Sequence, residues 1–107
     1  MEQNKEFLEM IQRLKEHFHP TKIFVFGSRA NGTARENSDY DLLLLVPTAD
    51  LSVFERMQEA QHHLFRCRVW IPADIFIYTE KEYAELKDIP GTLAKVVATQ
   101  GRELNVA

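Results

Sequence analysis

Near the amino terminus apolar residues recur as Phe7, Ile11, Leu14 and Phe18, with Leu8 beside them, until Pro20 stops the pattern. Spacings of four, three and four predict an amphipathic helix. The run "KIFVFG" is β-branched and aromatic and closes on Gly27, which predicts a buried strand ending in a turn. "SRANG" can form one helical turn, and "TAREN" reads as a polar loop. A second strand is predicted from Asp39 to Val46, apolar on both faces beyond its first three residues and terminated by Pro47. Ser52 and Glu55 have capping-box spacing ahead of an apolar stripe of Val53, Met57, Ala60 and Leu64, so a helix to about Cys67 follows. "VWIPADIFIY" returns to strand character, with Pro72 pointing to an edge position or a bulge near its start. Thr79 and Glu82 repeat the capping spacing, and "DIPG" breaks the last helix before a piece from about Thr92 to Gln100. The order αβαβαβα predicts an α/β sandwich of strands and helices.

A length of 107 residues sets this pattern in one domain, residues 1–107, because two ordinary cores would not fit. Hydrophobic residues at 45% and charged residues at 27% describe a globular chain. A net charge of −3 gives no general electrostatic footprint for nucleic acid, so a polynucleotide is not the favoured partner. The single cysteine, Cys67, excludes an intramolecular disulfide, and "MEQNKEFLEM" has neither the basic nor the apolar region of a leader. No apolar run has the length to cross a bilayer, and the expected compartment is the cytoplasm.

Candidate chemistry gathers around the first two strands. A strand that runs through Gly27 into a helix amino terminus aims backbone N–H groups outward, a setting suited to phosphate oxygens, and Ser28 adds a hydroxyl. Asp39 and Asp41 open the second strand one residue apart, so they share a face about 6.6 Å from each other. Like charges placed together repel. Either the pair serves the strand start, Asp39 capping the loop and Asp41 bonding a backbone N–H, or both carboxylates reach a cation. Asp74, inside another apolar strand, is open to the same alternatives: a solvent-facing edge position, or a charge that requires a positive partner. For a cation, magnesium fits best, since hard oxygen donors without paired cysteines or histidines do not make a zinc cage. Magnesium draws remaining ligands from water and phosphates, which points to a nucleotide. His62 and His63, adjacent on a helix, diverge by about 100° and read as surface residues. His17 and His19 suit a helix carboxy terminus, and Cys67 has no identifiable base partner.

These residues resemble the minimal nucleotidyltransferases of the DNA polymerase beta superfamily, whose signature is Gly-Ser, ten residues, Asp-x-Asp. Gly27, Ser28, Asp39 and Asp41 match it, "GSRANGTARENSDYDLLLLV" is similar to the family's wider block, and Asp74 falls where a third acid belongs. Asn31 departs from the pattern, since many members carry arginine there and with it one phosphate contact. The resemblance implies the nucleotidyltransferase fold, with the end of the first strand meeting the start of the second antiparallel in a small mixed sheet flanked by helices. It implies transfer of a nucleoside monophosphate, most simply AMP from ATP, to a hydroxyl. Two Mg²⁺ ions, or Mn²⁺, would be held by Asp39, Asp41 and Asp74, the last completing the catalytic ion. Gly27 and Ser28 would hold the β- and γ-phosphates, and Arg29 would steady a phosphate or the leaving pyrophosphate.

A chain this short lacks the appended domain that usually holds an acceptor, and stand-alone members are similar to antitoxins paired with a helical HEPN-type partner protein, whose tyrosine they adenylylate. Two other readings stand beside that one. The first is a non-enzymatic module that binds nucleotide or toxin, against which the complete acid triad argues. The second is transfer to a small molecule such as an antibiotic, which the absence of a second domain disfavours.

Overall fold

The computed structural model describes residues 4–35 and 39–104. The tail of the expected polar loop, residues 36–38, and the terminal residues 1–3 and 105–107 lie outside them. Helix α1, Lys5–Phe18, starts where the Asn4 side chain accepts hydrogen bonds from the N–H groups of Glu6 at 2.7 Å and Phe7 at 3.2 Å. A cap of this kind is worth about 1 kcal/mol. His19 ends the helix in the left-handed region at φ 50, and Pro20 prevents its continuation. The inward stripe is Phe7, Met10 and Leu14, with Ile11 and Phe18 half-buried beside them. Leu8, expected on that stripe, is exposed, and Met10 takes the inward direction one turn-position away.

Strand β1 is Lys22–Phe26, the single turn α2 is Ser28–Asn31 and strand β2 is Tyr40–Val46. Helix α3, Val53–Arg66, opens with the predicted Ser52–Glu55 capping box. Strand β3 is Ala73–Thr79, followed by α4, Glu80–Leu86, behind the predicted Thr79–Glu82 box, and by α5, Leu93–Gln100, capped by Thr92. Residues 69–72, expected to begin the third strand, are irregular, because the chain there rises from α3 to meet β2, and the Pro72 carbonyl accepts from the Tyr40 N–H at 3.1 Å. A further strand, β4, Arg102–Leu104, was not anticipated.

The sheet order is β3-β2-β1-β4, antiparallel between β1 and β2 and between β1 and β4, parallel between β2 and β3. A mixed sheet flanked by helices is therefore observed, with β1 and β2 meeting as expected. Alternation along β2 sends Tyr40, Leu42, Leu44 and Val46 toward α1 and α3, and Leu43 and Leu45 toward Val97, Leu93 and Tyr83 of α5 and α4. Cover on both faces explains the unbroken "LLLLV", in which removing one leucine side chain costs about 2–5 kcal/mol. On the edge strand β3, α3 supplies donors to the main chain: Gln61 Nε2 to the Ala73 carbonyl at 2.8 Å and Arg56 Nη1 to the Ile77 carbonyl at 2.9 Å. Such bonds occupy groups that would otherwise invite another strand.

Candidate active site

Gly27 joins β1 to α2 at φ 71 and ψ −151, a backbone region that side chains rarely enter. A Cβ there would overlap the Asp41 carboxylate, meeting Oδ2 and lying 3.3 Å from Cγ. Glycine thus allows the strand end to lie directly against an acid. The pairing of Phe26 with Asp41 brings this about, because antiparallel β1 and β2 leave the turn beside the start of β2. The Gly27 carbonyl accepts from Ala30 N at 3.0 Å and Asn31 N at 3.2 Å, closing α2 and leaving its first N–H groups without acceptors inside the turn. Asn31, the departure from the family pattern, accepts from the Thr33 N–H at 3.0 Å and its hydroxyl at 2.6 Å, and so closes the turn with its own side chain.

Asp41 is half-buried and Asp74 exposed, and the two are direct partners in the parallel β2–β3 register. Partnered positions on neighbouring strands lie about 4.8 Å apart and send side chains to the same face. Burial, then the Asp74 and Asp39 charges, push the Asp41 carboxyl above its ordinary range. Asp39 is exposed one residue before β2 and acts on the same group. The structure thus brings Asp39, Asp41 and Asp74 into one electrostatic neighbourhood. It does not draw them inward, and among the described residues no trio of acid, histidine or cysteine side chains is gathered closely enough to hold an ion as it stands. Oxygen-only donors, a backbone free of Cβ against one carboxylate and an acid raised by burial and then by its neighbours all fit a hard divalent ion that completes its shell from phosphate and water.

Arg29, expected to steady a phosphate, packs against the core in this structure. Its guanidinium carbon stands 4.2 Å from the centre of the Tyr40 ring, and that ring packs, tilted by 33°, against Phe7 of α1 with centres 4.6 Å apart. Tyr40 and Asp41 are consecutive in β2, so their side chains leave opposite faces. In this position the guanidinium packs on the Tyr40 side of β2, the face opposite the one the Asp41 side chain takes. Sequence reasoning passed over Tyr40, although the alternation that pairs Asp39 with Asp41 also sends the intervening residue to the core.

Two of the histidines, His17 and His63, come together between α1 and α3. His63 is half-buried rather than a surface residue and stacks on His17 at 3.9 Å, and His17 Nε2 lies 2.8 Å from Glu59 Oε2. Cys67 Sγ lies 3.6 Å from His63 Nε2, the neighbour it was expected to lack. Burial and the nearby His17 and Arg66 charges lower the His63 pKa, favouring the neutral ring.

The nucleotidyltransferase domain family matches residues 8–100, and the chain belongs to it. A toxin–antitoxin crystal structure with AMP-PNP is 25% identical with a TM-score of 0.58, covering 94% of this chain and 72% of that one. An inferred nucleotidyltransferase from Sulfolobus solfataricus is 26% identical with a TM-score of 0.59, covering 78% of this chain and 73% of its own. A mutant of the toxin–antitoxin MntA-HpeT, 24% identical with a TM-score of 0.58 over 97% of this chain and 73% of that one, shares the fold. No curated protein matches the chain significantly. Among the described residues no helix is long and apolar enough to cross a membrane.

Proposed function

We propose that residues 1–107 act as one minimal nucleotidyltransferase domain that moves AMP from ATP to a hydroxyl on a partner protein in the cytoplasm, as the antitoxin of a toxin–antitoxin pair. The observation that carries this reading is the pairing of Asp41 with Asp74 directly against the Gly27 turn, where burial and then the neighbouring acids raise the Asp41 carboxyl, an arrangement that positive charge would relieve. Similarity to the toxin–antitoxin structure with AMP-PNP supports both an adenine nucleotide and a toxin partner. The helical HEPN-type identity of that partner rests on the resemblance of the motif.

Asp39, Asp41 and Asp74 are the residues proposed to hold two Mg²⁺ ions, with Mn²⁺ as the closest substitute in ligand preference. Bound there, the ions would supply Lewis-acid polarisation and charge neutralisation for an in-line displacement. Gly27 and Ser28 would hold the triphosphate through backbone N–H groups and the Ser28 hydroxyl, orienting the α-phosphorus toward the acceptor. Asp74 is exposed near the start of the edge strand β3, where an incoming hydroxyl can reach it. The exchange balances as a bond formed from the acceptor oxygen to the α-phosphorus and a bond broken to the bridging oxygen, with pyrophosphate leaving and the hydroxyl proton passing to solvent.

The test is incubation with α-labelled ATP and Mg²⁺, with and without the natively co-purifying partner. Label on a partner side chain, lost in Asp74→Asn, is the expected result. Label that stays in free ATP with the partner present would overturn the transferase reading.

A further inference from the structure

The stack of Phe7, Tyr40 and Arg29 runs from the core helix α1 through β2 to the one-turn α2 that follows Gly27. Phe7 and Tyr40 are each only 2% exposed, so the aromatic platform is fixed by the core. By contrast α2 has four residues, none of them buried, and such a turn does not hold its own shape in water. Its described backbone bonds are those from Ala30 and Asn31 to the Gly27 carbonyl and from Ala34 N to the Ser28 carbonyl at 3.1 Å. A planar guanidinium over a buried ring supplies the attraction that helix length does not.

We infer that Arg29 is a positioning residue: by stacking on Tyr40 it docks α2 onto the core and keeps the N–H groups and hydroxyl at Gly27–Ser28 aligned with the acids on the opposite face. The inference rests on the proposed nucleotide site and gives Arg29 a role other than phosphate contact. The clamp requires the guanidinium on the Tyr40 side of β2, where it stands. Electrostatic attraction to a triphosphate would act whichever residue occupied position 40. The clamp depends on a ring there.

The experiment is a double-mutant cycle read by calorimetric binding of Mg·ATP and by amide hydrogen exchange at Ala30 and Asn31. Arg29→Met retains a long side chain without the cation. It is expected to weaken Mg·ATP binding by about 5- to 30-fold and to speed exchange at both amides by a similar factor. The same loss is expected in a Tyr40→Phe background, where the ring remains. In Tyr40→Leu, Arg29→Met should add less than about twofold, since the platform is already gone. Equal losses in the Tyr40→Leu and wild-type backgrounds would overturn the inference in favour of a direct phosphate contact. Faster exchange with unchanged Mg·ATP affinity would overturn it in favour of a purely structural role. Should Tyr40→Leu fail to fold, wild-type exchange rates in Arg29→Met alone would still overturn it. Failure of the wild-type protein to bind Mg·ATP would sink the proposed function, while the exchange comparison continues to decide whether Arg29 holds α2.

Discussion

The two ends of the β2–β3 pair treat charge in opposite ways. Beyond their carboxy-terminal ends Arg56 is buried, and its guanidinium donates to the Leu51 carbonyl at 2.8 Å, the Ile77 carbonyl at 2.9 Å and both Glu82 oxygens at 2.8 and 3.2 Å. The Arg56 hydrogen bond, ahead of the other influences, holds Glu82 below the usual carboxylate range. At the amino-terminal ends, Asp41 faces Asp74 across the register and is pushed the other way. Among the described residues no cation pairs with either acid. One end uses charge to hold α3, β3 and α4 together, and the other keeps charge unspent. One end is satisfied within the fold and the other is not, an asymmetry that supports the proposed site at the acids.

The largest effect that would break the comparison is on catalysis. Asp74→Asn should cut nucleotidyl transfer by on the order of 10³-fold, about 4 kcal/mol of barrier, with most Mg·ATP affinity retained. Single-turnover transfer of α-labelled ATP measures it, and near-normal transfer would return Asp74 to the status of a solvent-facing edge residue. Arg56→Ala should destabilise the protein by about 3 kcal/mol, the low end for breaking a buried pair, because Glu82 is 34% exposed and can hydrate. Urea unfolding reads this directly. The two ends should also respond oppositely to pH. Glu82 stabilises fully above the ordinary glutamate range, and that stability is lost as pH falls through it toward the depressed folded value. The Asp41 penalty is absent at low pH and grows as pH rises from the ordinary aspartate range through its raised folded value.

How far the sequence revealed these two ends follows from the range of the interactions involved. Capping boxes at Ser52–Glu55 and Thr79–Glu82 act over three residues and were legible, as was the second strand, although it begins at Tyr40 and leaves Asp39 just outside the ladder. The antiparallel meeting of β1 and β2 followed from the chemistry required of Gly27 and Asp41. Arg56 was missed because an arginine on an amphipathic helix reads as solvated. Its position three residues after Val53 and four before Ala60, inside the apolar stripe, was the available signal. Strand β4 left no trace, since Arg102, Glu103 and Leu104 have no strand pattern and take their form from the free edge of β1. The stacking of His17 on His63 joins residues far apart in the chain, and only tertiary packing of α1 on α3 creates it.

A smaller effect sharpens the comparison at the turn. Gly27→Ala should destabilise the protein by about 1–3 kcal/mol, because φ 71 with ψ −151 strains any side chain and the new methyl meets the Asp41 carboxylate. Part of that loss should be recovered in Gly27→Ala combined with Asp41→Ala, where the carboxylate is removed and only backbone strain remains. Thermal unfolding of the single and double variants separates the two contributions, and an undiminished loss in the double variant would assign the whole cost to the backbone.

The central claim is that the acids at the amino-terminal end are held for positive charge and not for the fold, and Asp41→Asn tests it with the smallest change of shape. Thermal melts of wild type and Asp41→Asn, each with and without Mg·ATP, are the measurement. Removing the repelling charge should stabilise the metal-free protein by about 0.5–2 kcal/mol or leave it unchanged, while Mg·ATP raises the wild-type melting temperature and the variant loses most of that rise. A metal-free Asp41→Asn protein markedly less stable than wild type would show that the carboxylate holds the strand, and would contradict the account.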